Sequence, residues 1–118
     1  MNKNNKLSKL PSSQILLYVP KDGEAKIEVK LEDETVWLTQ AQMTDLFQTT
    51  KQNISLHLKN IFSEGELEEN SVVKDFLTTA LDGKKYRTLY YNLDAIISVG
   101  YRINSYRVRS FVSWQHKS

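Results

Sequence analysis

Residues 39–62, TQAQMTDLFQTTKQNISLHLKNIF, decide how this chain folds. Thr39 followed three residues later by Gln42 is a capping box, in which each side chain satisfies the other residue's free backbone amide. Met43, Leu46 and Phe47 then fall at the spacings of one helix face, which predicts a short helix ending near Phe47-Gln48. Thr49-Thr50 follow, and Thr50 can cap a second helix from Lys51 to about Phe62. The inward stripe of that helix is Ile54, Leu58 and Ile61. Two short helices so joined predict a helix-turn-helix, whose first helix braces the second and whose second enters the DNA major groove.

With that stripe inward, the helical rotation of about 100° per residue turns Gln52, Asn53, Ser55, Leu56, Lys59 and Asn60 outward. Gln and Asn can pair bidentately with adenine, and Lys59 can reach phosphate or guanine. Thr50 and Lys51 at the helix N-terminus suit a phosphate contact. Leu56 is the odd member, fit for a thymine methyl or for another protein surface. The plain alternative is an ordinary helical hairpin with a polar outer face.

The order of parts downstream favours the first reading. Gly65 sits where a helix stop is expected. After an acidic connector (Glu64, Glu66, Glu68, Glu69), Val72 to Ala80 and Lys84 to Tyr91 flank Leu81-Asp82-Gly83. Asp-Gly between β-prone runs predicts a hairpin. A helix-turn-helix followed by a hairpin bearing Lys84, Lys85 and Arg87 is a winged-helix arrangement, with the wing gripping the DNA backbone. A lysine pair at a hairpin tip also guards against edge pairing, so it is not specific by itself. Asn92 caps a further helix carrying Leu93, Ile96, Ile97, Val99 and Gly100, and Ser105 could cap a last one through Phe111 and Trp114.

Upstream, residues 14–38 read as strands. Ile15, Leu17 and Val19 alternate with other residues, and Pro20-Lys21-Asp22-Gly23 supplies turn chemistry. Ile27, Val29 and Leu31 alternate with Lys26, Glu28, Lys30 and Glu32, and Asp33-Glu34 turns the chain into Thr35-Val36-Trp37-Leu38. Residues 1–13 read as a flexible polar leader, and 14–118 as one α+β domain: a winged helix-turn-helix with an N-terminal β-hairpin and C-terminal helices.

The chain is 118 residues long, 40% hydrophobic and 25% charged, within the range of an ordinary globular domain. It has no cysteine, so disulfides, thiolate zinc sites and cysteine nucleophiles are excluded. No apolar run is long enough for export or a membrane span, which makes the cytoplasm the expected location. Net charge is only +2, but unevenly spread. Residues 1–81 carry nine Lys/Arg against twelve Asp/Glu, a net −3; residues 82–118 carry seven against two, a net +5. Such asymmetry can give one surface a positive potential, or be simple solvated charge.

One further signal is a resemblance. Thr35-Val36-Trp37-Leu38-Thr39-Gln40, Phe47-Gln48 and Asn53 through Phe62 resemble the RhuM family of virulence-associated bacterial proteins. So do Glu64-Gly65-Glu66-Leu67, Asn70 through Lys74, Asp82-Gly83-Lys84-Lys85-Tyr86 and Tyr90 through Arg102, so the likeness runs from about 35 to 105. It implies a bacterial protein, often encoded on mobile or pathogenicity elements, whose N-terminal part binds DNA. The chain departs from the pattern at Ser105-Tyr106-Arg107-Val108, although Phe111 and Trp114 keep their places. It reads as an N-terminal portion or shortened copy, with the family's C-terminal part absent.

The expected function is therefore sequence-specific binding of double-stranded DNA, as a transcriptional regulator linked to mobile or virulence-associated elements. The DNA-contacting residues would be Thr50, Lys51, Gln52, Asn53, Ser55, Leu56, Lys59, Lys84, Lys85 and Arg87. An enzyme is not expected. The only histidines are His57 and His116, and no phosphate loop, nucleophile triad, cofactor motif or metal cluster is visible. The acidic connector lacks a calcium loop's alternating ligands. The rival is a protein-interaction module on the same scaffold, to which outward Leu56 and the crowd of tyrosines (Tyr86, Tyr90, Tyr91, Tyr101, Tyr106) would contribute. A homodimer would suit paired half-sites, with the N-terminal strands or the last helix as its surface.

Overall fold

A computed structural model describes residues 14–20 and 26–117. The leader at 1–13 and the turn at Lys21-Asp22-Gly23 lie outside the described residues. Five strands form one antiparallel sheet: β1 (Gln14–Tyr18), β2 (Ile27–Glu32), β3 (Thr35–Leu38), β4 (Val73–Thr79) and β5 (Lys85–Asn92). Their order across the sheet is β1-β2-β3-β5-β4. The helices among the described residues are α1 (Gln40–Phe47), α2 (Lys51–Ser63), α3 (Glu69–Val72), α4 (Leu93–Arg102) and α5 (Arg107–Lys117). The architecture is α+β.

Local chemistry sets most boundaries. Asp33 and Glu34 both take positive φ, 56° and 62°, as a two-residue hairpin whose twist matches its strands requires. The Thr39–Gln42 capping box is present in both directions, at 3.1 and 2.9 Å. Gln48 ends α1 in the left-handed region (φ 53°, ψ 56°), the bend that turns the chain toward α2. Thr50 caps α2 by accepting from the Asn53 amide. Gly65, at φ +76°, closes α2 with amide bonds from Gly65 to Phe62 and from Glu66 to Ile61, the doubly bonded αL stop. Asn92 caps α4 through the Ala95 amide, and Ser105 Oγ accepts from the Arg107 amide where α5 begins. The short α3 had no sequence signal.

The core lies between the sheet and the helices, around Leu38, Met43, Leu46, Ile54, Ile61, Ile96, Val99, Val108 and Phe111. Met43, Leu46 and Phe47 of α1 and Ile54, Leu58 and Ile61 of α2 are buried, as their spacing predicts. The last helix is central to this core through Val108 and Phe111. Gly100 is where α4 meets α5: a Cβ there would lie 2.6 Å from Val108 Cγ2 and 3.0 Å from Phe47 Cζ. Arg107, 4% exposed, donates from Nη1 to the Leu46 carbonyl at 3.1 Å. That carbonyl is one that the end of α1 leaves without an intrahelical partner. The C-terminal helix thus holds the end of α1, next to the turn.

The strand phase of β1 differs from its apparent alternation. Ile15, Leu17 and Val19 are exposed, while Tyr18 is 3% exposed and Leu16 packs on the core. Both phases of this strand are apolar, so tertiary partners decide. Tyr18 meets Phe111 edge-on at 5.1 Å and Trp114 at 5.0 Å, and one-residue slippage would lose both. The other sheet face carries Trp37, Phe76 and Tyr90, with centroids 5.9 and 5.0 Å apart. Lys30 lies 4.6 Å and Lys74 5.3 Å from the Phe76 centroid.

Candidate nucleic-acid interface

The outward side of α2 is a largely polar surface. Lys51, Gln52, Ser55, Leu56 and Lys59 are exposed and line one shallow concavity of about 450 Å³. Leu56 is 52% exposed, so the odd apolar member of the arc does face solvent. Asn53 differs from its neighbours: it is half-buried and its Nδ2 donates to Thr49 Oγ1 at 2.9 Å, across the turn. Thr50 Oγ1 is engaged by the Asn53 amide. These two residues fix the entry to α2, leaving fewer of their hydrogen-bonding groups for a ligand. His57 is half-buried beside the inward stripe.

Two residues missed by the sequence reading organise this surface. Ser55 Oγ donates to Gln40 Oε1 at 2.7 Å, and Gln40 Nε2 donates to Tyr91 Oη at 2.9 Å. One chain of hydrogen bonds thereby runs from α2 through the first residue of α1 to buried Tyr91 of β5. The partners are 15 and 51 residues apart in sequence, so only the fold brings them together.

The hairpin between β4 and β5 turns at residues 80–84, with Gly83 at φ +83°. The Ala80 amide donates to the Lys84 carbonyl at 2.8 Å, and Asp82 Oδ1 accepts from the Lys84 amide at 2.9 Å. Asp82 is thus folded back onto the turn, while Lys84 and Lys85 project into solvent. Strand alternation puts Lys85, Arg87 and Leu89 on the same sheet face as Tyr91, the face that carries the helices. Arg87 pairs with Asp75 at 3.5 Å, and both side chains are largely exposed. A pair that open and that long contributes little and leaves Arg87 able to change partner.

The basic excess of residues 82–118 is not all available to a ligand. Arg107 is committed to the Leu46 carbonyl. Arg102 donates from Nη2 to Glu64 and Glu66, each at 2.7 Å, tying the acidic connector to the end of α4. The Arg102 guanidinium, then the Ser98 hydroxyl, hold the Glu66 carboxyl below its ordinary pKa. Lys51, Lys59, Lys84 and Lys85, by contrast, form no ion pair among the described residues. The described residues hold no group of three or more metal-ligating side chains, and no helix among them is long and apolar enough to cross a membrane.

Residues 71–118 match the model of the Virulence protein RhuM family. The match starts at the foot of the hairpin and takes in β4, β5, α4 and α5, so it extends past residue 105, where the resemblance was expected to end. It stops short of α1 and α2, so the family likeness and the helix pair are separate observations. Neither the curated proteins nor the solved structures compared with the chain contain a significant match.

Proposed function

We propose that this protein binds double-stranded DNA sequence-specifically as a winged helix-turn-helix, and acts as a bacterial transcriptional regulator in the cytoplasm. The observation that carries the reading is the row Lys51, Gln52, Ser55, Leu56 and Lys59 on a firmly capped helix, with unpaired Lys84 and Lys85 on the following hairpin. The winged-helix reading draws support from the run β3, α1, α2, β4, β5, with β5 seated between β3 and β4 in the sheet. The family match over 71–118 supports a link to virulence-associated elements.

In this reading α1 braces α2, which lies in the major groove. Gln52, Ser55 and Leu56 face base edges, with Asn53 at the rim, Thr50 and Lys51 meet phosphate at the N-terminus of α2, and Lys59 reaches a phosphate farther along the same groove. Lys84, Lys85 and Arg87 grip the backbone. Five cations so placed (Lys51, Lys59, Lys84, Lys85, Arg87) would give a log K against log salt slope of about −4.5, at about −0.9 per neutralised phosphate. Titration of labelled duplex at low salt tests this. Binding should weaken at least tenfold in a Lys59→Glu plus Lys84→Glu variant, by loss of two attractions and gain of two repulsions. No binding by the unaltered chain, or equal binding by the variant, would overturn the reading. Capture of a protein partner by the same variant would favour the interaction-module alternative, to which exposed Leu56 lends support.

A further inference from the structure

We infer that Ser55 is a base-reading residue set to act only as a hydrogen-bond acceptor, and that Gln40 and Tyr91 set that polarity. The inference deepens the DNA-binding reading above and rests on it.

A serine hydroxyl ordinarily carries one donor and two acceptor sites, and rotates to suit either kind of partner. It therefore reads bases with little discrimination. In this protein the single proton of Ser55 is already placed. It points at Gln40 Oε1, 2.7 Å away, and an amide oxygen can only accept. The other end of the same amide, Nε2, donates to Tyr91 Oη at 2.9 Å, which ties the Gln40 side chain to β5. The two separations suit these roles: 2.7 Å is an O–H···O length and 2.9 Å an N–H···O length. Tyr91 is 4% exposed and sits in the sheet opposite Leu38 and Val73, so the far end of the chain is buried in the fold.

Ser55 itself is exposed and lines the concavity of α2 between Gln52 and Lys59. With its proton turned inward, it offers only lone pairs to a ligand. In the major groove the matching groups are the exocyclic amines, N6 of adenine and N4 of cytosine. The keto oxygens of thymine and guanine at the same place would set acceptor against acceptor. Ser55 thus selects an amino base over a keto base at one position of the contacted strand. Gln40 and Tyr91 are positioning residues for that choice and need not touch DNA.

The test is selection of bound sequences from a randomised duplex library, with the full chain and four variants, followed by competition binding on the selected site. The unaltered chain should select adenine or cytosine at one position. Ser55→Ala should lose about five- to tenfold of the discrimination there and none elsewhere, the size of one hydrogen bond. Gln40→Leu frees the Ser55 hydroxyl to donate, and should flatten the same position while leaving the rest of the site unchanged. Gln40→Glu can still only accept, so it should keep the amino preference at lower overall affinity. Tyr91→Phe should flatten the position partly, with thermal melting recorded to separate loss of fold.

Site-specific binding in which Ser55→Ala changes no position, or in which a keto base is selected there, overturns this inference and leaves the DNA-binding reading standing. A uniform loss of affinity in both Gln40 variants would make Gln40 a merely structural residue and also overturns it. Absence of any DNA binding overturns both readings.

Discussion

Two sets of cations in this molecule resemble each other in sequence and are used in opposite ways. Arg102 and Arg107, with Lys74 on the outer sheet face, are engaged: Arg102 by Glu64 and Glu66, Arg107 by the Leu46 carbonyl, Lys74 by Glu32 and Asp33 at 2.6 and 3.1 Å. Lys51, Lys59, Lys84 and Lys85 lie on α2 and the hairpin without an ion pair among the described residues. The first set holds elements together across long sequence separations. The second is left to solvent on the outward side of α2 and on the exposed hairpin, where a polyanion could collect it. The difference teaches that net charge says little about which charges a fold leaves available, because part of the basic excess is taken up by intramolecular contacts.

Substituting an engaged cation should weaken the fold, most where the cation is buried, while leaving the second set intact. Arg107→Met should cost the most, about 2–4 kcal/mol, because it leaves the Leu46 carbonyl buried without its donor and loses packed stem. Urea denaturation measures it, and a loss below about 0.5 kcal/mol would mean that the contact is dispensable. Gly100→Ala should cost about 1–3 kcal/mol, since its methyl would sit 2.6 Å from Val108 Cγ2. Val108 Cβ would also lie 2.8 Å away, so trimming Val108 to alanine cannot relieve the clash in full, and a loss below about 0.5 kcal/mol in urea denaturation of Gly100→Ala would contradict it.

The smallest effect is a pH dependence. The lowered Glu66 pKa means that its pair with Arg102 stabilises the fold above the unfolded carboxylate value of about 4.5. That contribution is lost as pH falls through the lower folded-state value. Arg102→Gln should therefore narrow the difference in melting temperature between pH 7 and the acid side of that range. An unchanged difference would show that the pair contributes nothing measurable.

Much of the frame was legible in the sequence because it is set by neighbours. The Thr39–Gln42 capping box, the Thr50 cap, the stop at Gly65, the hairpin at Asp82-Gly83 and the cap at Asn92 each rest on residues a few positions apart. The outward arc of α2 followed from helical periodicity once the inward stripe was known. What was not legible depends on distant partners. The phase of β1 is chosen by Phe111 and Trp114, and Arg102 and Arg107 are engaged by residues 36 to 61 positions away. The Gln40–Tyr91 bond joins the start of α1 to a strand 51 residues later. Asn53, polar and outward in phase, is partly withdrawn because Thr49 lies within reach across the turn.

The cations of α2 and the hairpin, and not Arg102, Arg107 and Lys74, are the ones proposed to meet DNA. The most direct test is the salt dependence of duplex binding, measured side by side for the unaltered chain, Lys59→Glu plus Lys84→Glu, and Arg102→Gln. Losing two phosphate contacts should shallow the slope by about 2 for the double variant, while Arg102→Gln keeps the full slope of about −4.5. Equal slopes for the unaltered chain and the double variant, or a slope reduced only in Arg102→Gln, would contradict the claim.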